Sequence, residues 1–413
     1  MESSQPTTLP SVPQSAPKKR KKGGTRIEDQ LYYVGMVLAV IWLLMFRSLW
    51  LVIPHFVVAS IRLMAMAFLF VRLLVVLTKL AKSKYIVLIG VMLLITFVAG
   101  LNSGNMFRTF VTISLVIGAC GLPYRKIIKT YFFTGFFYCL ATVLGSQIGL
   151  AENFTMIEAD ETRETVSDLS LRMGMGYGWA TDFAAHVFYL IITFVFYKKG
   201  LLSLTHYLIL LPMIYFVLHV TDSRFCAICS LTTLVASLVY KFIYKKRKRI
   251  KRLFLYGSIV LTPVLAYISY WATNAYNPAD LKWIVIDMFF TNRLRYGNEA
   301  LNYPGLNLFG NKIIMGGTGF FKDQNNYFDI YYIDNSYLQY AVLYGLLFLA
   351  VIIISYMVLS WKMVRRGNLL LIMCICITAF QGVVDQQFLD VGYNPFLIAL
   401  LAKHNYKYNI LVK

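Results

Sequence analysis

Charge is scarce in this chain: 14% of its 413 residues are Asp, Glu, Lys or Arg, against 58% hydrophobic residues. Soluble globular domains carry about 25% charged residues, so a water-facing globule is excluded. Histidine and cysteine are sparse as well, at five and six. All six cysteines fall inside apolar runs, where small buried thiols are ordinary. Cys226 and Cys229 have a CxxC spacing, but no second thiol or His pair completes four zinc ligands. His186 and His206 read as internal hydrogen-bonding groups rather than ligands. No Gly-rich loop of the P-loop or dinucleotide type is present, and no internal repeat is evident, so nucleotide chemistry has no support. The sequence therefore calls for neither a metal nor a cofactor.

What is abundant is apolar sequence, in runs near the ~20 residues that cross a bilayer. Spans are expected near 31–53, 56–80, 85–101, 106–122, 130–150, 179–197, 201–219, 225–243, 253–271, 338–360, 368–384 and 390–403. The last is the shortest. Helices are the default, because an isolated strand leaves its backbone unsatisfied in lipid and these runs are too long for barrel strands. The expected fold class is an all-α multi-pass membrane protein with about 12 transmembrane helices. The first apolar run starts only at Leu31 and lacks a small-residue cleavage site, so it reads as an uncleaved anchor.

Charge distribution sets the orientation. With the tail before Leu31 in the cytoplasm, 28 of the 40 Lys and Arg residues fall in cytoplasmic segments, and every loop pair obeys the positive-inside rule. Glu2, Glu28 and Asp29 are inside, and the other sixteen carboxylates lie outside or at the outer rim. The net charge of +21 is thus a topology signal and needs no nucleic acid to explain it. The organisation expected is a disordered basic tail (1–30), nine spans (31–271), an extracellular loop (272–337), three more spans (338–403) and a second cytoplasmic tail (404–413). PKKRKK in the first tail serves to retain that end inside. Asn153, Phe154 and Thr155 form an outward NxT sequon.

Chemistry is expected in the polar segment from about Trp271 to Tyr337 and beside it. Arg172 opens the sixth span, Arg224 sits in TDSR between the seventh and eighth, and Arg293 and Arg295 lie in the long loop. All four approach one membrane face. Each alone reads equally well as a snorkelling interfacial arginine. Arg224 is harder to dismiss, since the N-terminus of a helix disfavours a cation and favours an anion. Arg47, Arg62, Arg72 and Arg108 fall within spans, where a central charge costs at least ~2.5 kcal/mol. Arg47, Arg62 and Arg108 lie in the outer half and are candidates to line a path for a lipid-linked anionic head group, with snorkelling the alternative for Arg47 and Arg108.

The SR at the outer start of a helix, an RxxxxxxAL segment, LFG in mid-loop, DNSYLQYAVLYG leading into the next helix and YNPFL further on carry a resemblance. From about Leu171 to Phe388 and on to YNPFL, the chain resembles the Wzy-type bacterial polysaccharide polymerases, relatives of the O-antigen ligases. The resemblance implies a GT-C-like helical fold in the bacterial cytoplasmic membrane, with both termini inside. It implies transfer of a growing glycan from undecaprenyl diphosphate to the next lipid-linked repeat unit, and a chain-length regulator protein and membrane lipid as partners. Arg224 and Arg293 match the family's two prominent arginines. Asp334 stands where the ligases carry a catalytic His before Asn, a departure that separates this chain from the ligase mechanism.

The same roles follow from the chemistry of such a site. A diphosphate is a good leaving group and needs no general acid, so one base and a set of cations suffice. Arginine suits the cationic task because its fork donates in two directions and stays charged. Arg224 and Arg293 are expected to clamp the diphosphate, with Asp334 as the base and inversion at the anomeric carbon, independent of metal. Arg172, Arg295, Arg62, Asn335 and Tyr337 are the candidate substrate contacts. The competing reading of DNSY is a helix N-cap, for which Asn335 or Ser336 is better placed than Asp334. Two other functions compete: a ligase delivering finished glycan, and a lipid-linked oligosaccharide flippase, which the asymmetric layout and single large loop disfavour.

Overall fold

In the computed structural model, which describes residues 27–81, 83, 86–158, 170–245, 252–315 and 330–404, almost every apolar run is a helix. The first nine helices are α1 (Ile27–Met45), α2 (His55–Leu80), α3 (Ile86–Asn102), α4 (Met106–Gly118), α5 (Tyr124–Gln147), α6 (Ala180–Tyr197), α7 (Leu204–Thr221), α8 (Arg224–Lys245) and α9 (Arg252–Asn274). Two short helices follow in the polar segment, α10 (Leu281–Phe289) and α11 (Arg293–Asn302), and then α12 (Ser336–Leu343), α13 (Leu346–Arg366) and α14 (Leu369–Gln381). Strand pairing among the described residues is slight. β1 (Thr155–Glu158) pairs antiparallel with β2 (Ser170–Met173), and β3 (Ile314–Met315) pairs in parallel with β4 (Ile330–Tyr331).

Eight of these helices are long and apolar enough to cross a membrane: α1, α2, α5, α6, α7, α8, α9 and α13. Helices α3, α4 and α14 are shorter but equally apolar in character. The exposed surface fits lipid rather than water. On α7, for example, Leu208, Ile209, Leu211, Tyr215 and Phe216 all face outward. Helix α6 is the opposite case, buried on nearly every side, and packs against α5, α7, α8 and α14. Pro212 and Pro263 sit inside α7 and α9 without ending them, as membrane helices allow.

Charge at one end of the bundle is paired. Glu28 and Asp29, in the first turn of α1, meet Arg72 of α2 at 3.8 and 3.0 Å, and Lys79 also contacts Glu28. Arg72 donates further to the carbonyls of Gly118 and Cys120, at the C-terminal end of α4 where the helix dipole favours a cation. One end of each of three helices, α1, α2 and α4, is tied by this one arginine.

Three expected spans differ from the structure. The first helix stops at Met45, eight residues short of the expected end. The expected span 338–360 is broken at Gly345, which has φ +91°, so α12 precedes the break and α13 alone is long and apolar enough to cross a membrane. The break receives the LFG of the long loop. The Leu346 and Leu347 amides donate to Asn307 and Leu308, and a Cβ added at Gly345 would lie 2.4 Å from the Gly310 nitrogen. Neither glycine has room for a side chain.

The last expected span, 390–403, is not a membrane-crossing helix. It consists of turns and a six-residue 3-10 helix, Pro395–Leu400, which at ~2.0 Å per residue is far too short to cross. Its backbone is irregular, yet it is sheathed by protein: residues 390–400 are all buried, and the Lys403 carbonyl accepts from Tyr124 at the head of α5. Irregular backbone is tolerated at membrane depth under that condition. The basic tail before residue 27 and the tail after residue 404 lie outside the described residues.

Candidate functional site

Within the long polar segment, of which residues 316–329 lie outside the described residues, α10 and α11 are joined by a tight turn. Asp280 caps α10 by accepting from the Lys282 amide. Helix α11 lacks a cap of its own, because Asn292 has φ +61° and its side chain does not reach the first turn. Asp287 of α10 takes that role, accepting from the Leu294 and Arg295 amides at 2.8 and 3.2 Å. The turn is therefore locked, and Arg293 emerges from it in a fixed direction.

Arg293 is the hub of the site. Its Nε lies 3.2 Å from Asp334 Oδ2 and its Nη2 3.5 Å from Asp385 Oδ1, while Nη1 donates to Thr291 Oγ1 and the Phe290 carbonyl. Burial works against the Arg293 charge, but the Asp334 and Asp385 carboxylates outweigh it and hold the guanidinium above its ordinary range. The two acids differ: Asp334 is 43% exposed and Asp385 is 4% exposed. Asp385 is the anchoring partner, and Asp334 is the one open to the surroundings.

Asp385 is built into the core of the site. Its Oδ2 accepts from Gln381 Nε2 at 2.9 Å and from the Cys226 thiol at 3.1 Å, and Gln381 Oε1 in turn accepts from the Tyr189 hydroxyl of α6. Burial pushes the Asp385 carboxyl above the ordinary carboxylate range and the Asp334 charge adds to this, while Arg293, Cys226 and Gln381 pull it back. Ser336 donates its hydroxyl to the Asp385 carbonyl, which ties the start of α12 to the turn after α14.

The other arginines expected at the site divide. Arg224 opens α8, is 67% exposed and pairs with Asp222 at 3.3 Å. Two residues further on, Cys226 touches Asp385, so Arg224 stands on the same helix end as part of the Arg293 cluster. Arg172, on β2, donates from Nε to the Thr221 carbonyl at 2.8 Å and so caps the C-terminus of α7 beside Asp222. Arg295 is exposed and turned to its neighbour, donating to the Tyr296 hydroxyl and lying 5.0 Å over that ring. Arg62 is in the N-terminal helices, 4.1 Å over the Phe107 ring, and its described contacts do not include the Arg293 cluster.

Asn335 and Tyr337 have structural duties in place of the expected substrate contacts. Asn335 Oδ1 accepts from the Tyr337 and Leu338 amides and its Nδ2 donates to the Val383 carbonyl, so it caps α12 and both ends of its amide are engaged. Tyr337 is buried, with its hydroxyl donated to the Ala379 carbonyl and its ring against Phe388. Asp334 does not cap the helix.

Arg47 does not snorkel. It is buried, 3.8 Å from Asp182 of α6, and donates to Gln386 at 3.2 Å. Gln387 donates to Asp182, and Gln339 to Gln386. Arg108 lies 5.0 Å over Phe46. The tetrapeptides Met45-Phe46-Arg47-Ser48 and Met106-Phe107-Arg108-Thr109 thus interleave, one arginine stacked on the phenylalanine of the other and Arg62 on the second phenylalanine.

Sequence reasoning missed Asp182, Gln381, Asp385, Gln386 and Gln387. The available signal was the density of amides and carboxylates in FQGVVDQQFLD, which is out of place between two apolar runs. No family model matches the chain, and no curated protein or solved structure matches it.

Proposed function

We propose that the chain is a Wzy-type glycan polymerase, a glycosyltransferase with about twelve crossings in a GT-C-like arrangement, acting on undecaprenyl-diphosphate-linked oligosaccharide at the outer face of a bacterial cytoplasmic membrane. In this reading the eight long and three shorter apolar helices account for eleven of the crossings, and segment 390–403 returns through the bundle as protein-sheathed irregular backbone rather than as a spanning helix. The observation that carries the reading is the Arg293 guanidinium held between an exposed and a buried carboxylate. A cation so braced is oriented before substrate arrives, which is what stabilising a developing charge requires.

In this reading the donor diphosphate takes Nε of Arg293 in place of Asp334, with Arg224 at the exposed rim as the second cation and Arg172 beside it. Asp385 keeps its hold on Nη2, so the guanidinium does not turn away. The released Asp334 carboxylate faces the acceptor and takes the proton from the attacking sugar hydroxyl. The hydroxyl oxygen bonds to the anomeric carbon, and the carbon–oxygen bond to diphosphate breaks with its electron pair on the departing phosphate. The configuration inverts, as a direct displacement requires. A base in this position contributes ~10² to 10⁴-fold in rate.

The test is product length in cells supplying the lipid-linked repeat unit. A ladder of repeats supports polymerisation. Single repeats attached to a new acceptor indicate a ligase instead.

A further inference from the structure

Beside the charged pair lies a second pair of side chains in the same register. Tyr296 stands three residues after Arg293 on α11, hence on the same helix face. Tyr332 stands two residues before Asp334 in the extended chain leading to α12, hence on the same side of that chain. The ion pair at 3.2 Å is therefore accompanied by a ring pair, Tyr296 against Tyr332, with centroids 6.0 Å apart. Trp179, at the head of α6, meets Tyr332 edge-on at 6.3 Å, and Phe154 meets Trp179 at 5.9 Å. Arg295 holds Tyr296 from the solvent side.

The geometry points to a glycan platform: Tyr332, Tyr296 and Trp179 bind a sugar ring adjoining the reacting bond. Three separate segments of chain assemble these rings on each other. Tyr332 is 44% exposed even so. Aromatic faces offer rigid apolar area to the C–H face of a pyranose, and their polar ends reach its hydroxyls, at little entropic cost. Two roles expected of single residues are thus reassigned. Arg295 positions Tyr296, and the aromatic contact expected of Tyr337 passes to Tyr332.

This assignment rests on the proposed glycosyl transfer, and its test is separable from it. The probe is the lipid-free oligosaccharide released from the host's lipid-linked repeat unit, titrated into the detergent-solubilised full chain while tryptophan emission is followed. Wild type is expected to bind with a change in emission that Trp179→Phe removes. Tyr332→Ala should bind roughly tenfold more weakly, about 1.4 kcal/mol, and Tyr332→Phe, which keeps the ring, within about twofold of wild type. In cells, Tyr332→Ala should raise the repeat-unit level needed for a ladder.

Equal affinity in Tyr332→Ala and wild type overturns the platform, even where a ladder forms. Failure of wild type to bind the oligosaccharide overturns it too, as does Trp179 emission quenched by brominated lipid with no response to the sugar, which would place these rings in the interfacial belt. Normal binding lost in Tyr332→Ala, without any ladder from wild type, would leave the platform standing and remove the polymerase reading.

Discussion

Arg293 reaches Asp334 with Nε and Asp385 with Nη2, so one guanidinium joins the half-exposed residue ahead of α12 to the buried turn after α14. The fork geometry is the point. Two carboxylates on different segments are served from two nitrogens at once, which no other cationic side chain does.

Arg293→Lys should therefore behave almost like Arg293→Ala. An ammonium cannot span both acids, and loss of a preorganised donor costs ~10²-fold or more in turnover. Polymer synthesis measured per membrane-inserted molecule checks this. A lysine variant with wild-type synthesis contradicts it.

Asp334 and Asn335 are neighbours with different duties, and their variants should separate. Asn335→Ala removes the cap of α12 and should lower stability by about 1 to 2 kcal/mol, seen as a lower melting temperature in detergent. Asp334→Asn should change melting less and abolish turnover. The reverse order of melting temperatures would make Asp334 the structural residue.

Asp385 gives a pH signature. Its carboxyl is raised by burial, with Asp334, Arg293, Cys226 and Gln381 facing it, so the folded chain holds this proton more tightly than the unfolded one. The stabilising contribution is full below the unfolded value of ~3.9 and is lost as pH rises through the raised folded value. Asparagine does not titrate. The melting temperature of Asp385→Asn relative to wild type should thus move in the variant's favour as pH climbs from about 4, and a flat difference refutes the assignment.

Tyr337→Phe tests the boundary of the site. It loses the hydrogen bond to Ala379 and should lose about 1 kcal/mol of stability, with no change in the substrate level needed for synthesis. A changed substrate requirement at normal stability would return Tyr337 to the binding surface.

The helices and their order were legible because lipid demands long apolar runs and satisfied backbones, and both leave a plain trace. Arg293 was singled out as one of four arginines near one membrane face and Asp334 on the resemblance of its DNSY segment, but their contact with each other was not foreseen. The break at Gly345 was hidden, since the glycine lies in an apolar run and its reason, the approach of Gly310, comes from thirty-five residues upstream. Asp385 was hidden for a similar reason. It marks the end of a span in sequence, and only packing against Cys226 and Arg293 gives it a task. Arg47 was read as lining a head-group path or snorkelling, and its pairing was hidden because its partner Asp182 lies five spans away by the expected count.

The most direct measurement is the glycan ladder from a host that supplies the matching lipid-linked repeat unit, with wild type, Arg224→Ala and Asp334→Asn compared at equal membrane levels. The account predicts a ladder from wild type that collapses to single repeats in both variants. Unchanged ladders in both would contradict it and leave Arg293, Asp334 and Asp385 as a structural cluster.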